Sequence, residues 1–103
     1  MMPLRNGAAL PEPFRIFETD QFLKDLNKLR ISENSSRYKK ISGMVYDQLR
    51  ENPYFGKNIK KLRNWKPETW RYRIGDLRLF YVIDDRVRII SLVSIEPRSI
   101  AYR

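Results

Sequence analysis

Neither cysteine nor histidine occurs among the 103 residues. The first absence excludes disulfides and thiolate metal sites, and is compatible with a reducing compartment. The second removes the commonest general base and the commonest metal ligand together. No apolar run approaches the roughly 18 residues needed to span a bilayer, and the first residues carry no apolar stretch of the kind that directs secretion. A soluble, cytoplasmic protein is expected, with no metal and no cofactor.

Positive charge is what the chain has in excess. Lysine and arginine number 21 against 12 acidic residues, a net charge of +9. Such a balance favours polyanionic partners: nucleic acid, an anionic membrane surface or an acidic protein. The charge is unevenly spread. Between Lys57 and Arg78 stand eight bases and two acids, so this stretch carries two-thirds of the net charge. By length the chain is one domain, and 42% apolar residues suffice for a single modest core.

Residues 1–13 hold Gly7, three prolines and little apolar periodicity, and read as a loose N-terminal arm preceding a domain over 14–103. Phe14 to Glu18 alternates as a first strand, with Phe14 and Ile16 inward. Thr19 can cap a helix whose apolar positions are Phe22, Leu23, Leu26 and Leu29. After a polar turn at Ser32 to Ser36, a second helix carries Tyr38, Ile41, Val45 and Leu49 in one stripe with Met44 beside it, and ends before Asn52-Pro53. A basic connection from Tyr54 to Glu68 offers a short strand near Ile59 to Leu62. Three strands finish the domain, at Trp70 to Ile74, Leu77 to Ile83 and Val87 to Ile95. Ser99 to Arg103 is a candidate final helical turn. The fold class is α+β, a small antiparallel sheet with two N-terminal helices packed on one face.

Gly75-Asp76 is a two-residue hairpin turn, so Ile74 should face Leu77 and Arg73 should face Arg78. Directly opposed like charges destabilise a strand pair. An anion such as a phosphate between the two guanidinium groups gives the arrangement a reason, and a plain solvated strand face is the alternative. Alternation sends Trp70, Tyr72, Ile74, Leu77, Leu79, Tyr81 and Ile83 under the helices, and Arg71, Arg73, Arg78, Phe80 and Val82 to the other face. Arginines beside apolar groups suit single-stranded RNA. Lys57, Lys60, Lys61, Arg63 and Lys66 are candidate RNA-binding residues, or else solubilise an edge strand. Trp65 and Trp70 read as packing residues rather than as platforms for stacking a base, because large aromatics dominate small cores.

Three segments together carry a resemblance: Lys61-Leu62-Arg63, the run from Trp70 to Tyr81, and the run from Ile95 to Arg103. They resemble the RelE/ParE superfamily of toxins from bacterial and archaeal toxin-antitoxin pairs, over roughly Phe14 to Arg103. That likeness implies a site on the concave face of the sheet and a cognate acidic antitoxin that wraps the toxin. RelE-type members are ribosome-dependent mRNA endonucleases, and ParE-type members poison DNA gyrase on the same scaffold. Carried across residue by residue, the catalytic set is Arg71, Arg73, Arg78, Arg98 and Tyr102, with ribosome and mRNA as partners. The alternatives are a gyrase inhibitor and a catalytically degenerate member. Arg71 and Arg73 stand where RelE has lysines, and Pro97 stands where many relatives have histidine. The RNase reading implies attack by the ribose 2′-hydroxyl without a metal. Its proton acceptor is open between Glu96 and a lysine of the basic segment.

Overall fold

The turn Gly75-Asp76 joins strands Trp70–Ile74 and Leu77–Asp84, and Gly75 adopts φ +58, a conformation that costs a residue without Cβ nothing. Ile74 faces Leu77 and Arg73 faces Arg78, the register the sequence predicts. The structure is a computed structural model that describes residues 12–98. Most of the N-terminal arm, the suggested final helical turn and Tyr102 lie outside those residues.

In chain order the elements are β1 (Arg15–Glu18), α1 (Asp20–Lys28), α2 (Ser36–Lys40), a π-helical turn (Ile41–Val45), α3 (Tyr46–Glu51), β2 (Ile59–Lys61), β3 (Trp70–Ile74), β4 (Leu77–Asp84) and β5 (Ile89–Pro97). The strands form one sheet in the order β1-β5-β4-β3-β2. Every pair is antiparallel except β1 with β5, which is parallel. The small antiparallel sheet expected from the sequence is present, with one parallel pair at that edge, where the chain passes through the helices before β2 begins at the far side. β5 also starts two residues later than predicted and runs through Pro97. Arg88 takes φ +58 and belongs to the preceding turn.

Thr19 caps α1 as expected, its hydroxyl accepting from the Phe22 N–H at 3.2 Å and donating to the Leu92 carbonyl at 2.6 Å. Beyond Leu92 no strand flanks the outer edge of β5 among the described residues. There α1 takes over, and Asp25 Oδ2 accepts the Ile95 N–H at 3.1 Å. Ser35 caps α2 through the Tyr38 N–H at 3.1 Å. The wider π-helical turn carries both Val45 and Tyr46 into the core, while Met44 beside the stripe is exposed.

One core lies between the helices and the sheet. Phe22, Leu26, Val45 and Leu49 meet Leu79, Tyr81, Ile90 and Ile95 there. Tyr72 and Leu77 are buried with them, and Trp70, Ile74 and Ile83 pack at the margin, which is the helix-facing set that alternation predicts. The opposite face of the sheet, on which no helix packs among the described residues, displays the arginines.

Candidate functional site

The ladder arranges the helix-free face in rows across the strands. Arg73 of β3 is opposite Arg78 of β4, and Arg78 is opposite Glu96 of β5. One row therefore reads arginine, arginine, carboxylate. The next row holds Lys60, Arg71, Phe80 and Ser94. Side chains of directly opposed residues start about 5 Å apart, so each row is a continuous strip of contact.

Glu96 reaches its place through a bulge. Leu92 pairs with Tyr81 and Ser94 with Phe80, which leaves Val93 of β5 without a partner. Because side chains alternate along a strand, the extra residue exchanges the faces of everything after it. Ile95 is thereby sent into the core, where it is 1% exposed, and Glu96 is set beside Arg78. Sequence alternation left Glu96 without a position, since nothing in the run of residues marks Val93 as the bulge.

Arg78 is 9% exposed, an unusual degree of burial for a guanidinium. Arg71 and Arg73 are half-buried. Arg73 Nε is buried and has no hydrogen-bond partner among the described residues. A charged donor left in that condition costs about 1–3 kcal/mol, a cost that an oxyanion ligand would remove. Burial also lowers the local dielectric, which strengthens the hold of these guanidinium groups on any phosphate that reaches them.

The predicted residues do not all converge. Lys60 lies on the arginine face opposite Arg71, whereas Lys61 faces the other way. Lys61 pairs with Glu68 at 2.8 Å and sits over the Trp70 ring at 5.9 Å. Lys57, Arg63 and Lys66 are exposed on the connections around β2. The Arg98 N–H donates to the Asp76 carbonyl at 2.7 Å, which ties its backbone to the hairpin end while its side chain stays exposed.

The two tryptophans also part. Trp70 is half-buried and meets Tyr54 edge-on at 5.5 Å, as a packing residue should. Trp65 is 53% exposed and lies flat on Phe80, with ring centroids 5.8 Å apart and planes 11° from parallel. Under that cover Phe80, expected on the open face, is only 7% exposed, although it is no part of the core.

A second polar cluster sits on the helix side. Glu18 Oε2 accepts from the Tyr38 hydroxyl at 2.6 Å and from the Tyr46 hydroxyl at 2.7 Å. Burial, reinforced by that carboxylate, pushes the Tyr38 hydroxyl up to about 12 and raises that of Tyr46 further. Both hydroxyls stay protonated at neutral pH. The cluster pins β1 to the helices and takes no part in the arginine rows.

The family model for the ParE toxin of type II toxin-antitoxin systems matches residues 16–102. Comparison with curated proteins finds no match. Among solved structures, the toxin-antitoxin complex RelBE2 of Mycobacterium tuberculosis contains a chain 25% identical, with a TM-score of 0.66 over 84% of this chain and 99% of that one. The archaeal RelE-RelB complex of Pyrococcus horikoshii gives 21% identity and a TM-score of 0.65, covering 84% and 96%. A mutant of the Escherichia coli toxin RelE in the free state gives 18% and 0.64, covering 87% and 88%. The α+β architecture is that of RelE-like toxins.

Proposed function

The chain belongs to the family of ParE toxins of type II toxin-antitoxin systems, within the RelE/ParE superfamily, and we propose from that premise that it cleaves mRNA on the ribosome. The observation that carries this reading is the row Arg73, Arg78, Glu96, which sets two phosphate-binding forks beside a carboxylate. Arg73 and Arg78 hold the scissile phosphate and stabilise the charge that grows on it. Their guanidinium groups stay protonated and serve poorly as bases. Glu96 is the acceptor for the proton of the ribose 2′-hydroxyl. The 2′-oxygen then bonds to phosphorus, the bond to the 5′-oxygen breaks, and that oxygen takes a proton from water, leaving a 2′,3′-cyclic phosphate and a 5′-hydroxyl. No metal enters these steps.

Arg71 and Lys60 orient a neighbouring phosphate, and exposed Arg98 serves another at the hairpin end. Tyr102 is assigned contact with a base or with the 2′-hydroxyl. The ribosome supplies the alignment of the message that a site with one carboxylate does not supply alone. The partner that silences the toxin is an acidic antitoxin, a reading supported by a net charge of +9 and by relatives solved as RelE-RelB complexes. The setting is the cytoplasm.

The name of the matching family favours a second reading, a DNA gyrase inhibitor without chemistry of its own. Inducible expression followed by mapping of transcript 5′ ends separates the two. New 5′-hydroxyl ends within translated messages are expected. Intact messages with trapped gyrase–DNA cleavage complexes would establish the second reading instead.

A further inference from the structure

Trp65 is placed as no packing residue should be. The loop between β2 and β3 is closed by the Leu62 N–H donating to the Thr69 carbonyl at 2.9 Å, and Asn64 within it adopts φ +64. The loop thus lays the Trp65 indole back onto Phe80, with Arg63 and Lys66 exposed on either side. One indole face is spent on Phe80. With 53% of the residue exposed, the other remains open to solvent. An aromatic plane kept in water on a loop that also carries two exposed cations is suited to an unpaired base, because every base has a π-face and its strand carries negative charge.

Position sharpens the inference. Phe80 is opposite Arg71 and lies two residues along β4 from Arg78. Two residues along a strand is about 7 Å, a step that the distance from a nucleotide's phosphate to its own base can bridge. We infer that Trp65 is the stacking platform for one base of single-stranded RNA whose phosphate lies on Arg73 and Arg78. The inference rests on the RNA-cleaving reading and adds to it a residue that selects unpaired substrate. Duplex RNA keeps its bases stacked on one another and offers none to the indole.

A residue that merely shields Phe80 can be told from one that stacks a base. Trp65→Leu still covers Phe80 and presents no π-face, whereas Trp65→Phe keeps both properties. The probe is an uncleavable 2′-O-methyl single strand of about eight nucleotides, titrated against the full chain by anisotropy and by tryptophan emission. The wild type should bind with quenching. Trp65→Phe should bind within about threefold of it without that quenching, and Trp65→Leu about tenfold more weakly. The duplex form of the probe should leave the emission unchanged. Equal binding by wild type and Trp65→Leu would overturn the platform and leave the RNA reading standing, provided that Arg73→Ala still loses the probe. A wild type that ignores the probe overturns the platform and leaves the RNA-cleaving reading, which needs the ribosome, to the mapping of transcript ends. If Trp65→Leu instead weakens only the grip on an acidic protein partner, the indole belongs to a protein interface and the proposal fails.

Discussion

Glu96 stands opposite Arg78 because β5 carries one residue more than β4 at Val93. The pairing puts a proton acceptor next to a buried guanidinium in a chain that has no histidine. Glu96→Gln keeps the shape and removes the basicity. Message cleavage in a ribosome-containing extract should fall about a hundredfold or more, the usual effect of losing a general base. The melting temperature should stay near that of the wild type. If Glu96 only neutralises Arg78, the variant should instead lose stability, and activity should fall no further than the folded fraction does.

The bulge itself can be removed. Deleting Val93 leaves Leu92 opposite Tyr81 and Ser94 opposite Phe80, so the ladder becomes regular while Ile95 stays in the core and Glu96 stays opposite Arg78. The deletion should therefore be tolerated, at a cost of about 1 kcal/mol or less. Val93→Ala, at a residue 36% exposed, should change stability by about 0.5 kcal/mol or less. Urea denaturation of the two variants checks this, and a loss of several kcal/mol on deletion would contradict the assignment of Val93 as the extra residue.

The hairpin was legible because Gly75-Asp76 is a strong local signal and the strands beside it alternate cleanly. Arg73 opposite Arg78 followed from that alone, and so did the helix-facing set from Tyr72 to Tyr81. Glu96 did not follow, since a bulge is decided by whether Ile95 or Glu96 fits the core, and that depends on α1 packing over β5. The burial of Tyr46 did not follow either, because the π-helical turn breaks the regular period of the stripe. Clustering of charge in sequence says nothing of which way a short edge strand turns, so it could not separate the faces of Lys60 and Lys61. Trp65 was read from its size, and size cannot distinguish a core residue from one held flat against the outside of a sheet.

Opposed arginines make a prediction about stability that runs against the one for function. Arg73→Ala removes a like-charge contact, so the free protein should be unchanged or up to about 0.5 kcal/mol more stable. Toxicity on induction should nevertheless be lost. Inorganic phosphate should raise the melting temperature of the wild type more than that of the variant, because stabilisation by a ligand follows its affinity for the folded state. A variant that melts much earlier than the wild type would contradict the repulsion argument.

Gly75 tests the turn without touching the site chemistry. A Cβ added there meets nothing within 4 Å, so the penalty of Gly75→Ala is purely one of φ at +58. It should amount to about 1 kcal/mol, and Gly75→Asn should cost less because asparagine tolerates the left-handed region. Chemical denaturation of both variants measures the difference. A much larger loss for alanine would mean that the turn changes type and takes the Arg73–Arg78 register with it.

Alkaline pH should unfasten β1 from the helices. The fold holds the Tyr38 hydroxyl protonated, raising it from 10.0 to about 12 through burial and the Glu18 carboxylate. Tyr46 is raised by the same two causes, and Tyr81 by burial. A tyrosine raised in the folded state contributes stability that is fully present below its unfolded value and is lost as pH rises toward its folded one. Stability should therefore hold up to about pH 10 and decline from there through about 12, with phenolate absorbance appearing together with unfolding. Tyr38→Phe removes one of these ionisations and one hydrogen bond to Glu18. The variant should be about 1.5 kcal/mol less stable at neutral pH and should show a shallower decline across the alkaline window. Equal slopes for wild type and variant would mean that Tyr38 ionises freely, and that its hydroxyl does not hold Glu18 in solution.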